Sequence, residues 1–252
     1  ANANDGDTVV LATDVNEATE VIVDKKVTVD LNGFDINVPT DTAGNGVFHV
    51  VAGGELTING EGTINGLGNN PWCMVIWADG GKVVINGGTY TNVGASSSFD
   101  ADHFDLIYVK NNGSVEINGG TFICETPEWT LNKHNTTDGT ITVKGGSFYK
   151  FNGTNKDGES FLADGYCAKA DGDYYVVAAH NHVGTYTDPT FDADGYTTYV
   201  CDRCGNTYVV TDEGTKLTVG ATVNGTRYET VADAIANAND GDTVVLATDV
   251  NE

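Results

Sequence analysis

One short theme recurs through the first 150 residues: a run of alternating β-branched residues that ends in Asn-Gly or Lys-Gly. It is read in KKVTVDLNGFDIN (25–37), GELTINGEGTIN (54–65), GKVVINGGTYTN (81–92), GSVEINGGTFIC (113–124) and GTITVKGGSFYK (139–150). Anchored on Val29, Ile58, Ile85, Ile117 and Val143, the copies lie 29, 27, 32 and 26 residues apart. A period of roughly 20–50 residues denotes a solenoid, a propeller or an array. Further β-rich runs fall between the copies: TEVIVDKK (19–26), GVFHVVAGG (46–54), CMVIWADGG (73–81) and FDLIYVKNNG (104–113). Each period therefore holds about three short strands. A propeller blade needs four antiparallel strands, and a stack of hairpins would repeat mirror-related strand pairs rather than whole coils. The pattern predicts an all-β chain, a short right-handed parallel β-helix of five to six coils. Like side chains would stack about 4.8 Å apart, with Asn-Gly-Gly (86–88, 118–120) and Lys-Gly-Gly (144–146) turning the corners.

A second feature links the two ends of the sequence. Residues 1–17, ANANDGDTVVLATDVNE, recur without change at 236–252. A match of this length is not accidental; the competing readings are a permuted chain or an overlap introduced in cloning. The chain opens without Met, contains only Met74 and carries no signal peptide, transmembrane run or sorting motif. Together these predict one period of a tandem array, in which the last residues of one unit begin the first coil of the next. YETVADAIANAN (228–239) spaces Val231, Ala234, Ile235 and Ala238 as one apolar helical face. Thr230 is its expected N-cap, Asp233 completes a capping box, and Asn239-Asp240-Gly241 ends it. This short α-helix is placed to cap the solenoid of the following unit.

After Lys150 the pattern changes, and FLADGYCAKADGDYYVV (161–177) is expected to close the other end of the solenoid. The predicted organisation is a β-helix domain over 1–177, a small β-rich module over 178–223, and a junction over 224–252 holding the capping helix and the first strand of the next repeat. These elements together resemble the large β-helix surface proteins of Gram-positive anaerobic bacteria. Shared elements are INGGTF coils, a DGY…DGDYYVV closing segment, the helix YETVADAIANANDGDTVVL and a module ending GYTTYVCDRCGNTYV. The resemblance covers nearly the whole chain and implies an extracellular, cell-surface location and a fibre-forming or adhesin-like role.

Acidic residues number 36 against 12 Lys and Arg, giving a formal charge of −24. Such a surface repels nucleic acid and anionic membranes and attracts Ca²⁺. The strongest chemical signal is His180-x-His182 followed by Cys201-x-x-Cys204-Gly205. Two thiolates on a knuckle with two imidazoles form a tetrahedral donor set suited to a structural Zn²⁺. A Cys201–Cys204 disulfide and a pair of plain thiols are the other readings. The family modules often carry a further Cys where this chain has Phe191, which leaves His180 or His182 to complete the set. Cys73, Cys124 and Cys167 are isolated and read as small buried apolar residues, with a Cys124–Cys167 bridge as an alternative.

Two weaker constellations remain. The loop SSSFDADHFD (96–105) gathers Asp100, Asp102, His103 and Asp105, a set able to bind Ca²⁺ or to supply acid and base carboxylates, or simply to face solvent. Trp72, Trp77 and Trp129, with Tyr90 and Tyr149, could offer a platform for host or cell-wall glycans, or pack the flank of the solenoid. Parallel β-helices also carry polysaccharide lyases and hydrolases. A lyase needs cationic groups to stabilise a uronate carbanion, yet the only arginines are Arg203 and Arg227, both outside the coils. No pair of carboxylates stands out for glycoside hydrolysis. The expectation is a structural repeat, with no catalytic residue and with neighbouring copies of itself as partners; a carbohydrate-active enzyme and a glycan-binding adhesin are the alternatives.

Overall fold

The computed structural model describes residues 3–39, 45–66, 74–92, 105–135 and 138–247. Trp72, Cys73, Asp100, Asp102 and His103 lie outside the described residues. The chain divides into two units, 1–180 and 181–252.

The first unit is a parallel β-solenoid with three strands to a turn. Its first face stacks β1 (Thr8–Val10), β4 (Lys26–Asp30), β7 (Glu55–Asn59), β10 (Lys82–Ile85), β13 (Ser114–Ile117) and β16 (Thr140–Val143). The second stacks β2 (Val15–Asn16), β5 (Ile36–Val38), β8 (Thr63–Gly66), β11 (Thr89–Thr91), β14 (Thr121–Ile123) and β17 (Gly146–Tyr149). On the third lie β3 (Val21–Val23), β6 (Gly46–Val51), β9 (Met74–Asp79), β12 (Ile107–Lys110) and β15 (Leu131–Lys133). Every pairing among these strands is parallel, so the antiparallel hairpin stack is not adopted.

Register follows the sequence anchors directly. Val29 pairs with Ile58, Ile58 with Ile85, Ile85 with Ile117 and Ile117 with Val143, all of them buried. A one-residue slip would turn this column out to solvent, which is why the pairing is well specified. On the second face Tyr90, Phe122 and Phe148 stack ring on ring, with centroids 5.0 and 4.6 Å apart. Tyr90 therefore belongs to the core, with its hydroxyl donating to the Gly87 carbonyl at 3.0 Å, and is no part of a surface platform. Asparagines form ladders outside the core. Asn86 Nδ2 donates to Asn59 Oδ1 at 2.8 Å and Asn118 Nδ2 to Asn86 Oδ1 at 3.0 Å, binding successive corners together. One corner shows why glycine is required: Gly62 has φ +135°, and a Cβ there would run into the Phe34 carbonyl oxygen of the coil below.

Parallel stacking stops at a hairpin made of β18 (Tyr166–Asp171) and β19 (Tyr174–Ala179). β19 pairs antiparallel with β17, while Phe151, Phe161 and Val177 fill the core at this level. This is the closing element expected from 161–177.

The second unit holds two small sheets. β20 (His182–Thr187), β21 (Gly195–Cys201) and β22 (Thr207–Asp212) form an antiparallel meander with β22 exposed along its whole length. β23 (Ala221–Val223) and β24 (Thr226–Tyr228) form a hairpin across Asn224-Gly225, whose φ values of 50° and 84° suit a tight two-residue turn. β25 (Val244–Leu246) pairs antiparallel with β23. The helix α1 (Val231–Ala236) starts as the sequence predicts, with Thr230 Oγ1 accepting from the Asp233 amide at 3.0 Å. Its Ala234 packs on Ala221 and Val223 to make a small second core. No helix among the described residues is long and apolar enough to cross a membrane.

Candidate metal centre

The donors are set in place by two tight turns. In the closing hairpin, Gly172 adopts φ 59° and pairs Asp171 with Tyr174, which brings Cys167 opposite Ala178. His180 follows β19 directly, and its amide donates to the Gly165 carbonyl at 2.8 Å. Cys167 and His180 are thus held at the same end of one hairpin. The second turn is CDRCG. Gly205, at φ 75°, donates its amide to the Cys201 carbonyl at 2.9 Å, and the Cys201 amide donates to Asn206 at 2.8 Å. These bonds fold the turn so that Cys204 returns beside Cys201.

Ligand atoms of Cys167, His180, Cys201 and Cys204 all lie within 4.8 Å of one another, close enough to hold a metal ion. Around a tetrahedral Zn²⁺ the donors would be roughly 3.5–3.8 Å apart, a spacing inside that limit. Cys167 and Cys201 are buried, His180 is half-buried and Cys204 is exposed. Three soft sulfurs and one imidazole suit zinc, whereas oxygen-seeking Ca²⁺ finds no matching donor here.

Of the four residues singled out in the sequence, His180, Cys201 and Cys204 enter this group. His182 sits on β20 opposite Cys201, its ring meeting Tyr208 edge-on at 5.1 Å, and it is not among the four. Cys167 takes the fourth place. The signal for it was present in the sequence: a two-residue turn at Gly172-Asp173 fixes a register that carries Cys167 toward His180.

The remaining candidates resolve separately. Asp105, from the acidic loop, is buried and accepts from Asn132 Nδ2 at 3.0 Å; burial pushes its carboxyl up to about 7, against the lowering effect of that bond. Cys124, buried nearby, has its thiol pushed up to about 12 by burial and lies 3.9 Å from Thr126 Oγ1. Trp77 is stacked on His49 at 3.7 Å, Trp129 lies under Lys156 at 6.0 Å, and Tyr149 meets Tyr174 edge-on. Arg227 forms a two-pronged ion pair with Asp192 and covers the ring of Phe191 at 5.2 Å.

Compared with protein-family models, with curated proteins and with solved structures, the chain matches none of them.

Proposed function

We propose that this chain is a structural repeat of an extracellular fibre or stalk on a bacterial cell surface, without catalytic activity of its own. The observation that carries this reading is the solenoid together with its duplicated segment. A continuously hydrogen-bonded stack makes a stiff rod, and a segment shared by both ends lets one unit run into the next. The resemblance to β-helix surface proteins of Gram-positive anaerobes supports the location and an adhesive role toward host or cell-wall glycans. Electron microscopy of a protein carrying several successive copies is the test. Regular filaments whose axial repeat matches one unit are expected; separate globular particles, or turnover of a polyuronate or plant polysaccharide by the pure protein, would overturn the reading.

The same reading assigns a structural Zn²⁺ to Cys167, His180, Cys201 and Cys204. The meander has little core of its own, and a small module in that position gains its stability from a metal. Binding would draw the three thiols into their thiolate form and release protons. Elemental analysis of pure protein should find about one zinc per chain. Cys167→Ser should lose it and His182→Ala should keep it. Retention in the first and loss in the second would restore the two-histidine set, and zinc-free wild-type protein would end the proposal.

A further inference from the structure

The 17-residue segment occurs twice in this chain, and the parts described in both copies, 3–12 and 238–247, share one local turn. At the first, the Asn4 amide and Nδ2 donate to Asp7 Oδ2 at 2.7 and 3.2 Å. The second reproduces this, with Asn239 donating to Asp242 Oδ2 at 2.9 and 3.4 Å. Gly6 and Gly241 match as well, at φ 87° and 90°. What differs is the partner of the strand that follows. β1 lies at the edge of its stack and pairs parallel with β4, whereas β25 pairs antiparallel with β23.

The two pairings use opposite edges of the strand. Leu11 donates its amide to the Asp30 carbonyl at 3.0 Å, on the β4 side. Ala247, which stands where Ala12 stands in the first copy, donates to the Gly220 carbonyl at 2.9 Å, on the β23 side. Neighbouring amides of a strand point to opposite edges, so a single strand of this sequence can carry both ladders at once.

Side chains show the same complementarity. Leu11 is 8% exposed inside the solenoid, while its counterpart Leu246 is 54% exposed. Val9 lines an apolar groove of about 260 Å³ at the open end of the solenoid, with Val21, Val23, Val27 and Ile36. Its counterpart Val244 packs instead against the Ala221–Val223–Ala234 core. Ala3 and Ala238 divide in the same way between groove and small core. The leucine is covered in one setting and bare in the other, while Val10 and Val245 stay exposed in both.

We infer that the open end of the solenoid is a docking site for a second copy of this chain. The hairpin β23–β24 and the helix α1 of that copy cover the groove, and Ala221, Thr222 and Val223 pair with Leu11, Val10 and Val9 in the register seen with Leu246, Val245 and Val244. Resting on the repeat-unit reading, this specifies the joint between units: one strand belongs to two sheets, and the small core of one unit joins the solenoid core of the next.

A two-copy chain, residues 1–235 followed by 1–252, tests it by amide hydrogen exchange. In the shared strand at the joint, the amides equivalent to Leu11 and to Ala12 should both be protected, by about 100-fold or more over a free edge. In the first copy's own β1, only Leu11 should be. Melting of Leu246→Ser provides a second readout. It should be nearly silent in the 252-residue chain, where Leu246 is exposed. The same change at the joint of the two-copy chain should lower the melting temperature as much as Leu11→Ser does in the single chain. Fast exchange at either amide, or a silent leucine at the joint, overturns the docking site. Filaments observed alongside either result would leave the fibre reading standing and remove only this joint.

Discussion

At the scale of single residues, Asp105 shows how burial converts charge into pH dependence. Its carboxyl titrates near 7 in the folded chain, against about 3.9 in an unfolded one. Between these values the folded state binds more protons, so stability falls as pH rises. The contribution is fully present below about pH 4 and is lost by about pH 7, with a size on the order of a few kcal/mol. Asp105→Asn should therefore melt at a higher temperature than wild type at pH 8, and the gap should close toward pH 4. Comparing the two proteins at each pH removes the effect of all other carboxylates. A gap that does not change with pH would mean that the side chain is hydrated. Tyr90 teaches a different lesson about residues. It follows Gly-Gly-Thr in one coil as Phe122 does in the next and as Phe148 follows Gly-Gly-Ser, so the alignment of coils already marked it as core. Residue type alone, without its place in the repeat, left a sugar platform and packing of the solenoid flank both open.

At the scale of elements, the solenoid was legible because one physical rule writes it over and over. β-branched residues at alternate positions must face a common interior, and the five anchors spaced along the sequence became five paired residues in one column. The column and the asparagine ladder beside it should differ in weight. Ile85→Ala leaves a cavity in a closely packed core and should cost about 2–5 kcal/mol. Asn86→Ala removes two hydrogen bonds at an exposed corner and should cost nearer 1 kcal/mol, on the order of a single net bond. Urea unfolding of the two variants measures both; equal losses would place the stabilisation in the ladder rather than the core. The candidate metal site was less legible, since it depends on residues far apart in sequence. His180, Cys201 and Cys204 stood out through spacing, but Cys167 is brought to them by hairpin register, which a search for ligand motifs does not register. The acidic loop was read as one cluster, yet its described member, Asp105, is buried and bonded to Asn132.

At the scale of the whole molecule, charge sets the conditions under which the fold is comfortable. A formal charge of −24 on 252 residues opposes compaction. At about 0.15 M salt the screening length is roughly 8 Å, so raising the salt should relieve the repulsion. The melting temperature is expected to rise steadily from low salt to about 0.5 M NaCl, and calorimetry would record it. A flat response would mean that cross-rung pairs such as Lys82–Glu55 and Lys144–Glu116 already balance the local field. The closing hairpin has a consequence of its own. Because β19 runs against β17, the rung at that end offers no matching template for another coil, while the inner rungs are paired in parallel on both sides. Over evolutionary time one unit's stack cannot grow past that reversed strand and can gain length there only by inserting coil-sized segments between existing corners, so related chains should differ by whole coils within the stack and keep the reversed strand as its closing rung.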